Sequence, residues 1–221
     1  MMRSETLSLG LDEPVRAAGR ITLAAQAVVL TAFAHRSAPE LLAGIHDVCR
    51  SAPLRHMVTP GGWKMSVAMT NCGNAGWVTD LTGYRYDRSD PETDKAWPAM
   101  PPAFAAIATA AAAEAGFAGF VPDACLVNQY SPGARLSLHQ DRNEQDLAAP
   151  IVSVSLGLPA VFLWGGHRRA DRTVRVALMH GDVAVWGGVD RLRFHGVRTL
   201  ADGVHPLTGA VRFNLTFRQA R

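Results

Sequence analysis

Seven short segments of alternating apolar and polar residues follow one another after Val121, and they constrain the fold more than any other feature of the chain. Each segment has four to eight residues, which is shorter than an ordinary helix and typical of a strand. Short strands separated by turns indicate an all-β sandwich, a barrel or a jelly roll. The segments are Leu126–Tyr130, Ile151–Leu156, Val161–Trp164, Thr173–Met179, Asp182–Trp186, Arg193–Arg198 and Val211–Arg218.

Two helices are expected ahead of these strands. The segment Ser37–Glu40 has the capping-box pattern, with a proline in the first turn, and the apolar residues after it recur at helical spacing. A second helix is expected to begin after Pro102 and to end at Gly116. The predicted fold is therefore mainly β, of the α+β type, with the two helices bracing one face of the sheet.

The apolar run Ile21–Ala34 has three possible interpretations: a buried strand, a signal-peptide core and a membrane span. Its upstream region carries the acidic residues Glu5, Asp12 and Glu13, which are unlike the basic start of a signal peptide. The run is also shorter than the roughly 20 residues that cross a bilayer. We expect a buried strand of the folded domain here, and a protein that acts without a membrane.

Composition narrows the class of protein. Hydrophobic residues make up 48% of the 221 residues and charged residues 19%, which excludes disordered, collagenous and coiled-coil chains. The net charge of +3 is mild for a nucleic-acid-binding protein, and the excess of arginine over lysine is also explained by genomic base composition. Three cysteines at irregular spacings fit neither a disulfide framework nor a zinc site, so a reducing compartment such as the cytoplasm is expected.

Residues 55–100 concentrate aromatic side chains without helical periodicity in a stretch rich in Gly, Pro and Asn. One interpretation is an irregular wrap whose aromatics cover the core. The other is a lid that presents aromatic faces to a ligand.

His139 and Asp141 are two residues apart on an extended segment, so their side chains share a face and could bind one cation. Chance alone yields about 0.5 such pairs in a chain of this composition, so a solvated loop is the better interpretation of the pair by itself. His195 lies in a later predicted strand, where a core histidine is the alternative. Two histidines and a carboxylate are the facial triad of non-haem iron(II) oxygenases, which leaves coordination positions open for a co-substrate and dioxygen.

The last predicted strand places apolar and polar side chains on opposite faces. Arg212, Asn214, Thr216 and Arg218 share the polar face. In a half-exposed strand this face would be solvated. If it lines a barrel interior, the two arginines require an anionic partner, because an unpaired buried charge costs several kcal/mol. A dicarboxylate could pair with an arginine at one end and chelate a metal at the other.

These residues resemble the AlkB family of iron(II)- and 2-oxoglutarate-dependent dioxygenases, which repair alkylated nucleic acids. The resemblance rests on His139-x-Asp141, His195 and the polar residues of the last strand. It covers nearly the whole chain, and its longer matching stretches are Met57–Gly62, Met65–Gly73, Pro122–Leu126, Ile151–Pro159 and Asn214–Ala220.

The resemblance implies a double-stranded β-helix, or jelly roll, in a single dioxygenase domain. Residues 1–54 would supply an N-terminal strand and helix, residues 55–100 a nucleotide-recognition lid, and residues 101–221 a helix and the catalytic core. It also implies roles for individual residues. His139, Asp141 and His195 would bind iron(II), and 2-oxoglutarate would be held by Asn128, Tyr130, Arg212, Asn214 and Arg218.

The implied activity is oxidative demethylation of bases such as 1-methyladenine and 3-methylcytosine, with 2-oxoglutarate and dioxygen as co-substrates and formaldehyde, succinate and carbon dioxide as products. The substrate would be single- or double-stranded DNA, or RNA, with the target base flipped out or presented on a single strand. We expect a monomer. The residues implied to contact the substrate are Trp77, Tyr84, Arg85, Tyr86, Asn143 and Arg169, with Trp77 stacking on the base opposite His139.

Asn143 departs from the family pattern, because the founding member has an acid at this position. An amide lacks the negative charge that attracts a cationic methylated base, so we expect intact chemistry with a weakened or shifted lesion preference. Two other functions remain open at this point. One is a related dioxygenase acting on a protein or a small metabolite, and the other is a non-catalytic metal-binding jelly roll.

Overall fold

The computed structural model describes residues 16–221, which form thirteen strands, two α-helices and one short 3₁₀ helix. The first half of the described chain contains β1 (Gly19–Ala24), β2 (Ala27–Thr31), α1 (Ala38–Ser51), β3 (Ala68–Gly73), β4 (Gly76–Asp80), β5 (Gly83–Asp87) and α2 (Pro102–Glu114). The second half contains β6 (Ala124–Tyr130), β7 (Leu136–His139), β8 (Ile151–Gly157), β9 (Ala160–Trp164), β10 (Val174–Leu178), β11 (Val183–Trp186), the 3₁₀ helix (Gly188–Asp190), β12 (His195–Val197) and β13 (Arg212–Arg218).

Two antiparallel sheets form the body of the protein. The larger has seven strands in the order β1-β2-β11-β8-β13-β6-β3, and the smaller has four in the order β10-β9-β12-β7. Strands that are distant in sequence are neighbours in both sheets, as the predicted jelly roll requires. All seven segments predicted as strands after Val121 are strands, and the mainly β fold is confirmed.

The large sheet is covered on both faces. One face packs against α1 and α2 in a core that includes Leu41, Phe104 and Leu215. The other face meets the small sheet in a second core, which contains Ile151 and Trp164. This double cover explains why every residue of β8 and β13 is buried, and it confirms that the helices brace one face of the sheet.

Both helices begin where the sequence predicts. Ser37 is the N-cap residue of α1, although its side chain forms no capping hydrogen bond. Helix α2 ends just before Gly116, whose φ of +98° is a conformation that favours glycine.

The prediction of one buried strand over Ile21–Ala34 is wrong in one respect. The segment contains the end of β1, a turn and the fully buried strand β2, because Gln26 occupies the turn. The backbone oxygen of Gln26 accepts a hydrogen bond from Gly187, and its side-chain oxygen accepts one from Val189. Within residues 16–221 no helix is long and apolar enough to cross a membrane.

The stretch 55–100 divides between the body of the protein and a separate hairpin. Strand β3 is an edge strand of the large sheet and pairs with β6. Strands β4 and β5 form their own two-stranded sheet, in which Trp77 lies opposite Tyr86. This hairpin carries four of the six residues expected to contact the substrate.

Candidate active site

Strands β7 and β12 bring the three candidate metal ligands together. His139 at the end of β7 lies directly opposite His195 at the start of β12, and Asp141 follows two residues after His139. The ring centroids of the histidines are 4.4 Å apart. Each histidine Nε2 lies 3.7 Å from an oxygen of Asp141, and one ligand atom from each residue falls within 4.8 Å of the others.

Hydrogen bonds orient both imidazoles toward a shared centre. The Nδ1 of His139 is 2.9 Å from the backbone oxygen of Ser137, and the Nδ1 of His195 is 3.0 Å from that of Arg193. A carbonyl oxygen only accepts, so each Nδ1 carries the proton and each Nε2 presents a lone pair. This arrangement fixes the tautomer that a metal ligand needs.

The charges of the triad also suit a cation. Burial and, to a smaller extent, the neighbouring His139 lower the pKa of His195 to about 3, so His195 is neutral at pH 7. Burial alone would raise the pKa of Asp141, but Arg218 and the two histidines hold it well below its ordinary value. An ionised carboxylate and a neutral imidazole are the forms that bind a divalent metal.

A cavity of about 870 Å³ opens beside the triad, and Arg212 lies at its wall. The Arg212 side chain is almost completely buried, with Tyr130 packed 5.0 Å from its guanidinium carbon. One nitrogen donates to Ser155 at 2.9 Å, whereas Nε and Nη1 have no partner among the described residues. A buried guanidinium with two free donors requires an anion, and a carboxylate fits it.

Strand β13 separates core from cavity as its alternation predicts. Phe213, Leu215 and Phe217 pack in the core under the helices. The polar face of β13 lines the cavity, where Asn214 donates to Ser153 at 2.8 Å. The five residues expected to hold 2-oxoglutarate all line this cavity: Asn128, Tyr130, Arg212, Asn214 and Arg218.

Aromatic and polar side chains surround the opening of the cavity. Trp77 is half-buried there, and its ring stacks on that of Tyr84 with centroids 5.7 Å apart. The indole Nε1 of Trp77 donates to the side-chain oxygen of Asn143 at 3.3 Å. Arg169 also lines the cavity, with its guanidinium over the ring of Phe194. Four of the six residues expected to contact the substrate therefore meet at one opening.

A family model described as the 2OG-Fe(II) oxygenase superfamily matches residues 26–218. The chain belongs to this 2OG-Fe(II) oxygenase superfamily. The match spans the triad and all of β13, so the enzyme class and cofactors expected from the sequence are confirmed: the protein is an iron(II)- and 2-oxoglutarate-dependent dioxygenase. The prepared imidazoles and the unpaired guanidinium of Arg212 show that the residues of this chain fit both groups.

Individual members of the 2OG-Fe(II) oxygenase superfamily are close to this chain. It is 60% identical over 198 residues to the alpha-ketoglutarate-dependent dioxygenase AlkB of Salmonella typhimurium, covering 90% of this chain and 92% of the relative. It is 32% identical over 161 residues to the tRNA demethylase abh1 of Schizosaccharomyces pombe, covering 66% of this chain and 52% of that protein. The resemblance to AlkB proteins is thus confirmed.

A solved structure, that of OsALKBH1, has the same fold. It superposes with a TM-score of 0.79 at 28% sequence identity, over 91% of this chain and all of the other. The likeness extends through the jelly roll, so the oxygenase architecture follows from the three-dimensional comparison as well as from the sequence.

Two residues expected to contact the substrate have other partners in this oxygenase. Arg85 does not line the cavity and pairs with Asp80 at 2.9 Å across the β4–β5 turn. Tyr86 does not line the cavity, and its hydroxyl donates to Glu144 at 2.7 Å. Burial, reinforced by the carboxylates of Glu144 and Asp141 and opposed by Arg218, raises the pKa of Tyr86 well above its ordinary value, so this hydroxyl stays protonated.

A buried charge cluster that the sequence did not predict lies behind the triad. Glu144 forms ion pairs with Arg191 at 3.1 Å and Arg218 at 3.3 Å, and Arg218 also pairs with Asp141 at 3.0 Å. Arg191 completes the cluster by donating to the backbone oxygen of Asp141 at 2.6 Å. Two cations and two anions balance each other here, and they set the orientation of the metal-ligand carboxylate. No local motif marks this cluster, because Glu144 and Arg191 are 47 residues apart.

Proposed function

We propose that this enzyme demethylates ring nitrogens of bases such as 1-methyladenine and 3-methylcytosine in nucleic acid. The observation that carries the proposal is one cavity that contains the triad, a buried guanidinium with two free donors, and an aromatic ring at its opening. The printed names of two relatives, an AlkB dioxygenase and a tRNA demethylase, support it.

Each end of the cavity has its own role. His139, Asp141 and His195 would hold iron(II). Arg212 would pair with the outer carboxylate of 2-oxoglutarate, because its Nε and Nη1 have no other partner among the described residues. Asn128, Tyr130 and Asn214, which line the same cavity, would also contact the co-substrate. Arg218 lies at the inner end, next to the triad, where its positive charge stabilises the ionised form of Asp141.

The bound iron, 2-oxoglutarate and dioxygen together supply the oxidation of an N-methyl group, which leaves as formaldehyde while 2-oxoglutarate becomes succinate and carbon dioxide. The protein positions the base for this chemistry and excludes water. The ring of Trp77 stacks on the flipped base, with Tyr84 supporting its other side. Stacking of this kind contributes about 1–3 kcal/mol per base. Asn143 faces the polar edge of the base, and Arg169 contacts the phosphate backbone.

The hairpin of β4 and β5 forms part of the proposed lid, within a single catalytic domain. Arg85 stiffens its turn through Asp80, while Tyr86 anchors it to Glu144. These two residues therefore act on the substrate through the lid rather than by direct contact. The enzyme acts as a monomer in the cytoplasm, and its three free cysteines suit a reducing compartment.

A product assay tests this function. Single-stranded DNA and RNA oligonucleotides that carry one 1-methyladenine or 3-methylcytosine are incubated with enzyme, iron(II), 2-oxoglutarate and ascorbate. We expect formaldehyde and succinate in equal amounts, and neither with a chelator or with unmethylated oligonucleotide beyond background. Succinate formation that no methylated oligonucleotide stimulates would instead favour a protein or small-metabolite substrate. No 2-oxoglutarate turnover with any substrate would favour a non-catalytic jelly roll.

A further inference from the structure

Trp63 is the most exposed aromatic side chain among the described residues, and it lies on the rim of the active-site cavity. Its side chain is 78% exposed, although tryptophan is one of the largest apolar residues. Trp63 has no role in the proposed binding of iron, 2-oxoglutarate or the target base. A large exposed aromatic ring beside a binding cavity indicates a contact with a ligand or a partner.

A hydrogen-bonded turn presents this ring to solvent. Val58 pairs with Lys64 across the turn. The Thr59 backbone N–H donates to the oxygen of Trp63 at 2.9 Å, and its hydroxyl oxygen accepts from the Trp63 N–H at 3.2 Å. Gly62, whose φ of +80° favours glycine, donates to the oxygen of Thr59. These hydrogen bonds hold the turn in a defined conformation, in which the indole is exposed.

Two cationic side chains, those of Lys64 and Arg135, line the same cavity as Trp63. Lys64 follows Trp63 in the chain, and Arg135 is brought alongside by two hydrogen bonds between Ser66 and its backbone. Neither cation forms an ion pair within residues 16–221. Asp141, which belongs to the triad, is the sole acidic residue lining the cavity among those the structure describes. The rim thus combines an exposed aromatic face with unpaired positive charge.

An exposed aromatic ring together with unpaired cations is typical of proteins that bind single-stranded nucleic acid. An aromatic ring stacks on an unpaired base of any identity, and flanking cations neutralise the adjacent phosphates. A base that remains paired within a duplex cannot stack on an external ring, so the feature favours single strands.

We propose that Trp63, Lys64 and Arg135 form a subsite for the nucleotide next to the target base. The indole stacks on the neighbouring unpaired base, and the two cations contact its phosphates. This inference rests on the proposed function, since it requires a nucleic-acid substrate. It adds a preference for single strands that the catalytic residues do not themselves impose.

The test compares Trp63→Ala and Trp63→Phe with Leu207→Ala as a control. Leu207 is also exposed, but it does not line the cavity and lies outside the lid. Binding of a labelled methylated single strand to metal-free protein is measured by fluorescence anisotropy, and kcat and KM are measured separately. We expect Trp63→Ala to raise Kd and KM about 5- to 100-fold with kcat unchanged. Trp63→Phe and Leu207→Ala should stay within about 3-fold of the wild type.

A second oligonucleotide identifies the contact. It carries the same methylated base with abasic nucleotides on both sides, and the subsite predicts that wild type and Trp63→Ala bind it equally. Lys64→Ala should in addition reduce the slope of log Kd against log salt by about 0.7, the value for one phosphate contact on a single strand.

Two results would overturn the subsite. One is wild-type affinity in Trp63→Ala, and the other is an equal loss of affinity for the normal and the abasic-flanked strands. If the wild-type protein binds no oligonucleotide, the subsite and the proposed function both fail. Binding that is sensitive to Trp63, in a protein that releases no formaldehyde, would overturn the proposed function while leaving the subsite in place.

Discussion

The indole N–H of Trp77 donates a hydrogen bond to the side-chain oxygen of Asn143, 3.3 Å away across the opening of the cavity. An indole nitrogen only donates, so the amide oxygen must face Trp77 and the amide N–H₂ group is left as a donor. Asn143 is therefore hydrogen-bonded to the ring proposed to stack on the base. Asn143 presents no negative charge to that base.

Asn143→Asp is expected to shift lesion preference toward cationic bases. A carboxylate can still accept from Trp77 while its second oxygen attracts a positively charged ring, and a charge-assisted hydrogen bond is about twice as strong as a neutral one. We expect the ratio of kcat/KM for 3-methylcytosine to that for the neutral 3-methylthymine to rise about 10-fold. An unchanged ratio would show that the side chain at position 143 does not determine the preference between cationic and neutral bases.

Each of the triad variants His139→Ala, Asp141→Ala and His195→Ala should reduce formaldehyde release to the level seen with chelator, because three ligands are needed to hold the iron. The fold should survive, since Arg218 keeps Glu144 as a partner when Asp141 is lost. Circular dichroism and product assays check this, with the exposed His46→Ala as a matched histidine control. Substantial activity in all three variants would exclude this metal site.

Arg212→Met should affect co-substrate binding and stability in opposite directions. The buried guanidinium has two unpartnered nitrogens, so an apolar side chain of similar volume should stabilise the ligand-free protein by about 1–3 kcal/mol. The same change removes the carboxylate partner and should raise the KM for 2-oxoglutarate at least 100-fold. Urea unfolding and steady-state kinetics check the two effects. A wild-type KM would contradict the assignment of Arg212.

Glu144→Gln should weaken metal binding, although Glu144 is not one of the proposed metal ligands. Glu144 shares Arg218 with Asp141, so loss of its charge leaves Arg218 to pull more strongly on the ligand carboxylate. We expect Kd for Mn(II), measured by calorimetry, to rise 10- to 100-fold, as is usual for residues that orient a ligand. Tyr86→Phe, which deletes one donor but no charge, is the control and should change it little. Equal effects of the two variants would argue for a purely structural role.

The alternation of apolar and polar residues made most of the strands predictable, and the spacing of His139 and Asp141 indicated the candidate metal site. A strand has a period of two, so Arg212 and Asn214 could be assigned to one face without knowing which strands pair with β13. The same reasoning placed His139 beside Asp141. His195 was harder, because only the pairing of β7 with β12 brings it to them, and here the family resemblance supplied what spacing does not.

The features that sequence reasoning missed depend on long-range pairing. Tyr86 and Glu144 are hydrogen-bonded although they are 58 residues apart in the sequence. Nothing in the local sequence shows whether Glu144 is solvated or buried between two arginines. The family resemblance implied that Arg85 and Tyr86 contact the substrate, whereas in the structure Arg85 pairs with Asp80 and Tyr86 donates to Glu144. The turn at Gln26 was missed because a single polar residue in an apolar run does not show where the chain reverses.

The stability of the metal-free protein should depend on pH through His180. Burial, reinforced by the neighbouring His205 and His35, lowers the pKa of His180 to about 4. Below about pH 6.5 the unfolded chain protonates this histidine and the folded protein does not. The free energy of unfolding is therefore highest above pH 6.5 and decreases as the pH drops toward 4. His180→Asn keeps an acceptor for the Gly157 N–H but does not titrate. Urea unfolding at pH 7 and pH 5 should show a decrease larger in the wild type than in the variant by about 1 kcal/mol, allowing for partial solvent exposure. Equal decreases would mean that His180 is already protonated in the fold, or that its surroundings do not penalise the charge.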